Sequence, residues 1–217
     1  MALRTPGNAR AFHLLTFVVA AFGLVLQFVL VLQGHQHLGD GTLPKLELST
    51  RVVRFFSYMT ILFNFLVAGT ELLLTVDPQR SQGKVFRALR LDALVLAVGG
   101  GIVHWFLLRP LLDLSGWDLV ADKVLHIVVP VLCLVAWLLF GPRGLIETDD
   151  VWAFLVVPIA WLVYTLLRGP AANWYPYPFI DVDKHGLVTV LLTCVAITAL
   201  MLAIAFGARW ADRRLPR

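Results

Sequence analysis

Six long apolar segments, at 12–32, 53–75, 91–109, 123–140, 152–168 and 187–207, dominate the chain. A run of about 20 apolar residues spans the hydrocarbon of a bilayer when it is helical. Lipid offers no hydrogen bonds, so a crossing segment must satisfy its backbone internally, as a helix does. The predicted fold is therefore all-α, a polytopic integral membrane protein with six transmembrane helices in a single domain over 1–217. The fifth run is the shortest, and Pro158 predicts a kink in it.

Composition agrees. Charged residues make up 15% of the chain and the mean hydropathy is +0.81, which excludes an ordinary soluble domain. The net charge of +4 does not indicate a nucleic-acid partner, because the basic residues lie in short loops and tails. Turn residues separate the runs: Gly39, Asp40, Gly41 and Pro44, then Asp77-Pro78, then Asp113, Ser115 and Gly116, then Gly141-Pro142, then Gly169-Pro170. Arg4 and Arg10 precede the first run, which is longer than a signal-peptide core and is read as a retained helix.

Eleven of the 18 Lys and Arg residues fall in the two tails and the second and fourth loops, and seven in the other loops and their helix edges. That asymmetry predicts cytoplasmic termini in a multi-pass protein of the plasma membrane. The second and fourth helices then both start at the outer face.

The second helix carries a polar stripe. Arg54, Ser57, Thr60, Asn64 and Glu71 sit at offsets 0, 3, 6, 10 and 17, one face of a helix. A carboxyl at membrane depth costs on the order of a few kcal/mol, so Glu71 needs a partner or a wet cavity. The fourth helix repeats the pattern with Asp122, His126, Pro130, Cys133 and Trp137. Thr60 and His126 fall within roughly 6 Å of each other in depth, in the outer half.

A hydroxyl and an imidazole at one depth point to a nucleophile and its base. Asp122 is a candidate to orient the ring, with Lys123 beside it, and Asn64 to donate to an oxyanion. Ordinary roles compete: a membrane Thr back-bonds to its own helix, and a membrane His bridges two helices.

Three blocks bear on the choice: FFSYMTILFNFLVA at 55–68, ADKVLHIVVPVLCLVAWLLF at 121–140 and NWYPYPFIDVDKHG at 173–186. In them the chain resembles the bacterial Pr6Pr branch of the FAR-17a/AIG1-like membrane proteins, whose animal members include androgen-induced protein 1 and androgen-dependent TFPI-regulating protein. The resemblance implies an intramembrane hydrolase of fatty acid esters of hydroxy fatty acids, or of a bacterial analogue. It places the Thr nucleophile at Thr60 and the His base at His126, with a lipid ester in the bilayer as partner and no cofactor. The loops differ from those of the animal proteins, so the natural ester is not implied.

The remaining polar residues divide between two roles each. The loop 173–186 is either an aromatic belt or a cap carrying Tyr177, Asp181 and His185 toward the site. His104 either lines the cavity or lies at the interface. His35 and His37 are a weak metal pattern, Cys133 and Cys194 read as buried apolar groups, and Gly99 to Gly101 predict close helix packing. Two other functions remain open: a b-type haem protein with His104 and His126 as axial ligands, and a lipid-binding or transport protein without turnover.

Overall fold

The computed structural model describes residues 5–35, 46–80 and 83–215. His37, Gly39, Asp40, Gly41 and Pro44 lie outside the described residues. Among the described residues there is no strand, and six helices are long and apolar enough to cross a membrane. They run over Pro6–Gln33, Met59–Val76, Lys84–Leu111, Gly116–Phe140, Thr148–Ala172 and Leu187–Arg214. The first four spans pack into the core, where Leu24, Phe63, Val95, Leu125 and Val129 are buried. The sixth remains the most exposed.

Arginines close three helix ends. Arg51 donates to the carbonyls of Val31 and Leu32 at the end of the first span. Arg10 donates to Thr75 and Val76 at the end of the second, and Arg90 to Gly141 and Pro142 just after the fourth. Each guanidinium meets carbonyls that no further turn can satisfy, at the negative end of the helix dipole.

Glu71 has its partner. His13 Nδ1 lies 2.6 Å from Glu71 Oε2, and both side chains are buried between the first and second spans. The pair stands in the half of the bundle that holds the termini.

Prolines shape the later spans. The fifth span breaks at Phe154 and Leu155, four residues before Pro158. That is where the ring of Pro158 meets a carbonyl it cannot bond. In the fourth span Pro130 stands four residues after His126, and the helix widens to a π turn over Val124–Val128. A second π turn, His104–Leu108, precedes Pro110.

The second apolar run is not one helix. It divides into a helix over Leu48–Ser57 and the span Met59–Val76, with Tyr58 extended at φ −77°, ψ 129°. Neither Pro nor Gly marks the break. The Ser57 carbonyl accepts from Trp161 Nε1 at 2.9 Å, and the Tyr58 ring packs edge-on against Trp174 and Tyr177. The fifth span and the loop after it thus hold the kink by tertiary contact.

Candidate active site

The break at Tyr58 makes Thr60 the second residue of a helix that starts inside the bundle. The first backbone N–H groups of a helix have no partner within it. The Thr60 N–H finds one in the phenol oxygen of Tyr177, at 3.1 Å. The same oxygen lies 3.2 Å from Thr60 Oγ1. Tyr177 is buried in a loop that folds inward, where Tyr175 and Ile180 are buried beside it. Gly169 makes this packing feasible: a Cβ there would stand 2.0 Å from the Tyr175 ring. Burial raises the Tyr177 hydroxyl above its ordinary pKa, so it keeps its proton.

Thr60 Oγ1 lies 3.0 Å from His126 Nε2. The other ring nitrogen, Nδ1, is 3.1 Å from the Asp122 backbone carbonyl and 3.1 Å from Asp122 Oδ1. Both neighbours only accept, so Nδ1 carries the hydrogen and Nε2 is free to accept from the Thr60 hydroxyl. The direction of the chain follows. Tyr177 O–H donates toward Thr60, Thr60 donates to His126, and His126 donates to Asp122.

His104 adds a second imidazole. Its ring stacks on that of His126, centroids 3.7 Å apart and planes 9° from parallel. Its Nε2 approaches Asp122 Oδ1 at 3.2 Å. One carboxylate therefore faces two rings. His104, Asp122 and His126 also present three ligand atoms within 4.8 Å of one another. The stacking does not fit a metal shared by the two rings. Imidazole ligates in its own plane, and an ion between parallel rings would lie well off both. It likewise leaves no room for a porphyrin between the two histidines.

Gly101 lets the third span approach this point. A Cβ on it would stand 2.9 Å from the carbonyl oxygen of His126. We expect Gly101→Val to cost about 1–3 kcal/mol and to pull His126 off Thr60. Its thermal midpoint in detergent should fall relative to Gly69→Val, where nothing lies within 4 Å of the added carbon.

Two cavities meet at Thr60. One, of about 120 Å³, runs between the second, third, fifth and sixth spans and is lined by Phe63, Leu96, Phe154, Leu162 and Ile197 among others. The second, of about 60 Å³, lies toward the first span and is lined by Phe55, Tyr58, Leu112 and His126. Thr60, His104, Leu108 and Tyr177 face both. The walls are almost wholly apolar, which suits acyl chains.

Several residues expected at the site are elsewhere. Asn64 does not supply an oxyanion donor, because its Nδ2 is spent on the carbonyls of Thr60 at 2.8 Å and Leu125 at 3.4 Å. Both partners are acceptors, so the amide orientation is fixed by them. Its role is to tie the second span to the π turn that carries His126. Ser57 Oγ donates to Val53 at 2.7 Å and meets the Tyr164 hydroxyl at 2.9 Å, a link to the fifth span. Arg54 sits over the Trp174 ring rather than at Thr60. Lys123 is exposed on the outside of the fourth span.

Asp181 caps the short helix Val182–His185 and pairs with Lys184 at 3.3 Å, and His185 is exposed at the end of that helix. His35 pairs with Asp118 at 2.6 Å, which gives it a role without a metal. Cys133 and Cys194 are both free thiols, and Cys194 lines the larger cavity. The residues that sequence reasoning missed are Tyr58, as the helix break, and Trp161, which holds it. An indole among branched aliphatics at mid-span was the one signal for Trp161.

The chain matches no family profile, no curated protein sequence and no solved structure at a significant level. The reading of the site therefore stands on its own geometry.

Proposed function

We propose that this multi-pass membrane protein is an intramembrane lipid-ester hydrolase with a threonine nucleophile. The observation that carries the reading is the Thr60 hydroxyl 3.0 Å from His126 Nε2, in a pocket whose walls are apolar. As Thr60 Oγ1 attacks the ester carbonyl, its proton passes to Nε2. Asp122 Oδ1 then faces the imidazolium, which its charge stabilises. The developing oxyanion takes the Tyr177 O–H, which turns from Thr60 Oγ1 as that oxygen attacks, while the Thr60 N–H at the positive end of the helix holds the phenol in place. His126 returns the proton to the departing alkoxide, leaving an acyl-threonine. A water activated by His126 hydrolyses it and frees Thr60.

The substrate class is a fatty acid ester, of the hydroxy-fatty-acid type or a bacterial analogue. The two cavities meeting at Thr60 offer separate space for acyl and alcohol chains. By the distribution of Lys and Arg, both termini are cytoplasmic and the site lies in the outer half of the plasma membrane. The reading of lipid binding without turnover also uses the cavities, but it gives no role to a hydroxyl, imidazole and carboxylate in series.

Purified protein in phosphatidylcholine nanodiscs tests the proposal with a long-chain fatty ester. Turnover above that of empty nanodiscs, stopped by one equivalent of a lipophilic fluorophosphonate, is expected. Turnover equal to that of empty nanodiscs contradicts it. Asp122→Asn should retain some activity. The Asp122 backbone carbonyl still holds the Nδ1–H tautomer, so only the stabilisation of the imidazolium is lost, about 10²-fold in kcat.

A further inference from the structure

A pair of arginines gathered on one indole has no counter-charge among the described residues. Arg54, on the helix Leu48–Ser57, places its guanidinium carbon 4.7 Å from the centroid of Trp174. Arg168, near the end of the fifth span, places its own 5.4 Å from the same ring. Two like charges gathered on one indole repel each other. Among the described residues no carboxylate lies within ion-pair distance of either guanidinium, although the structure pairs Arg87 with Asp150 and Lys184 with Asp181. Arg54 Nε is buried and lacks a hydrogen-bond partner. An unmet donor of a cation beside a second guanidinium fits an anionic acceptor from outside the chain.

The pair is connected to the site. Trp174 meets Tyr58 edge-on at 5.7 Å, and Tyr58 meets Tyr177 at 5.7 Å and lines the smaller cavity together with Thr60. Arg54 and Thr60 stand on either side of the helix break at Tyr58. An amphiphile with its chain in the cavity would bring a charged end to this point.

We propose that Arg54 and Arg168, held on Trp174, form an oxyanion subsite for the charged end of an amphiphile whose chain enters the cavity at Thr60. Resting on the hydrolase reading, it assigns the holding of the ester's charged end to these two residues. The chemistry recognised is a carboxylate or phosphate oxygen, which planar guanidinium donors bind in bidentate fashion.

Native mass spectrometry of the detergent-solubilised protein, titrated with palmitate and separately with methyl palmitate, tests it. One palmitate should bind at least about tenfold more tightly than the ester, as expected for a charge-assisted contact. Arg54→Gln with Arg168→Gln should abolish that preference, and the corresponding Lys pair should keep part of it. Equal affinity for acid and ester in the unaltered protein overturns the proposal, whatever the variants do. Competing phosphatidylglycerol separates the sources. Displacement of palmitate by it, and not by phosphatidylcholine, assigns the subsite to a bilayer headgroup. Resistance assigns it to the charged end of the substrate. Turnover measured on the same preparation keeps the two readings apart. Preference without turnover leaves the subsite and removes the hydrolase. Turnover without preference does the reverse.

Discussion

Thr60→Ala is expected to reduce fatty-ester hydrolysis to background, a loss of at least about 10⁴-fold, because the attacking oxygen is gone. The fold should survive. Among the described residues Thr60 Oγ1 hydrogen-bonds to His126 Nε2 and the Tyr177 hydroxyl, and the Thr60 N–H that also holds Tyr177 is unaffected. Removing the γ atoms vacates little space beside a pair of existing cavities. The thermal midpoint in detergent should thus stay near that of the unaltered protein, which separates a lost nucleophile from a lost structure. Thr60→Ser is the complementary variant. It keeps the oxygen at the same helix position and should keep turnover within about tenfold. A Thr60→Ala protein that hydrolyses the ester normally would place the chemistry elsewhere.

His126→Ala is expected to cost about as much as Thr60→Ala, and the double variant about as much as either alone. Groups that act in one step are not additive: once the base is gone, the hydroxyl is a poor nucleophile, and once the hydroxyl is gone, the base has nothing to deprotonate. A simple structural role for His126 predicts otherwise, since two unconnected losses would multiply. The His104 ring complicates His126→Ala, because it stacks at 3.7 Å and would lose its neighbour. His126→Gln fills more of that space and keeps one hydrogen-bonding group toward Thr60. It should be as inactive as the alanine variant but closer to the unaltered protein in stability. The readout is kcat for the single and double variants on one ester. Multiplicative losses would count against a shared catalytic step.

Much of the architecture was legible because the bilayer leaves so few choices. The lengths of six apolar runs sufficed for the spans, five of which the structure extends, as from 187–207 to Leu187–Arg214, while the second starts later, at Met59. Polar and basic residues prolong a helix past the apolar stretch that reveals it. Thr60 and His126 were legible as a pair because each lies on a polar stripe at similar depth. The break at Tyr58 was not, because no local residue causes it. Trp161 and Trp174 do so from more than 100 positions away. The consequence is large, since that break leaves the Thr60 N–H without a helical partner and Tyr177 accepts it.

The histidine stack was hidden for a different reason. His104 and His126 meet through two π turns, each ahead of a proline, and a regular 3.6-residue period cannot show the shift they introduce. Asp181 and His185 misled because they are the right residue types in the right loop. Their side chains are spent on a local helix cap and on exposure, whereas Tyr177 from the same loop reaches the site. Asn64 misled by period: it lies one turn from Thr60, but that same spacing lets its amide bond the Thr60 carbonyl.

The central claim is that the Thr60 oxygen becomes the acyl carrier. Protein in nanodiscs, treated with a lipophilic fluorophosphonate and digested, should yield one phosphonylated peptide, with the adduct on Thr60, and no adduct after His126→Ala. An adduct on Ser57 or another hydroxyl, or labelling of Thr60 undiminished by loss of His126, would contradict the account.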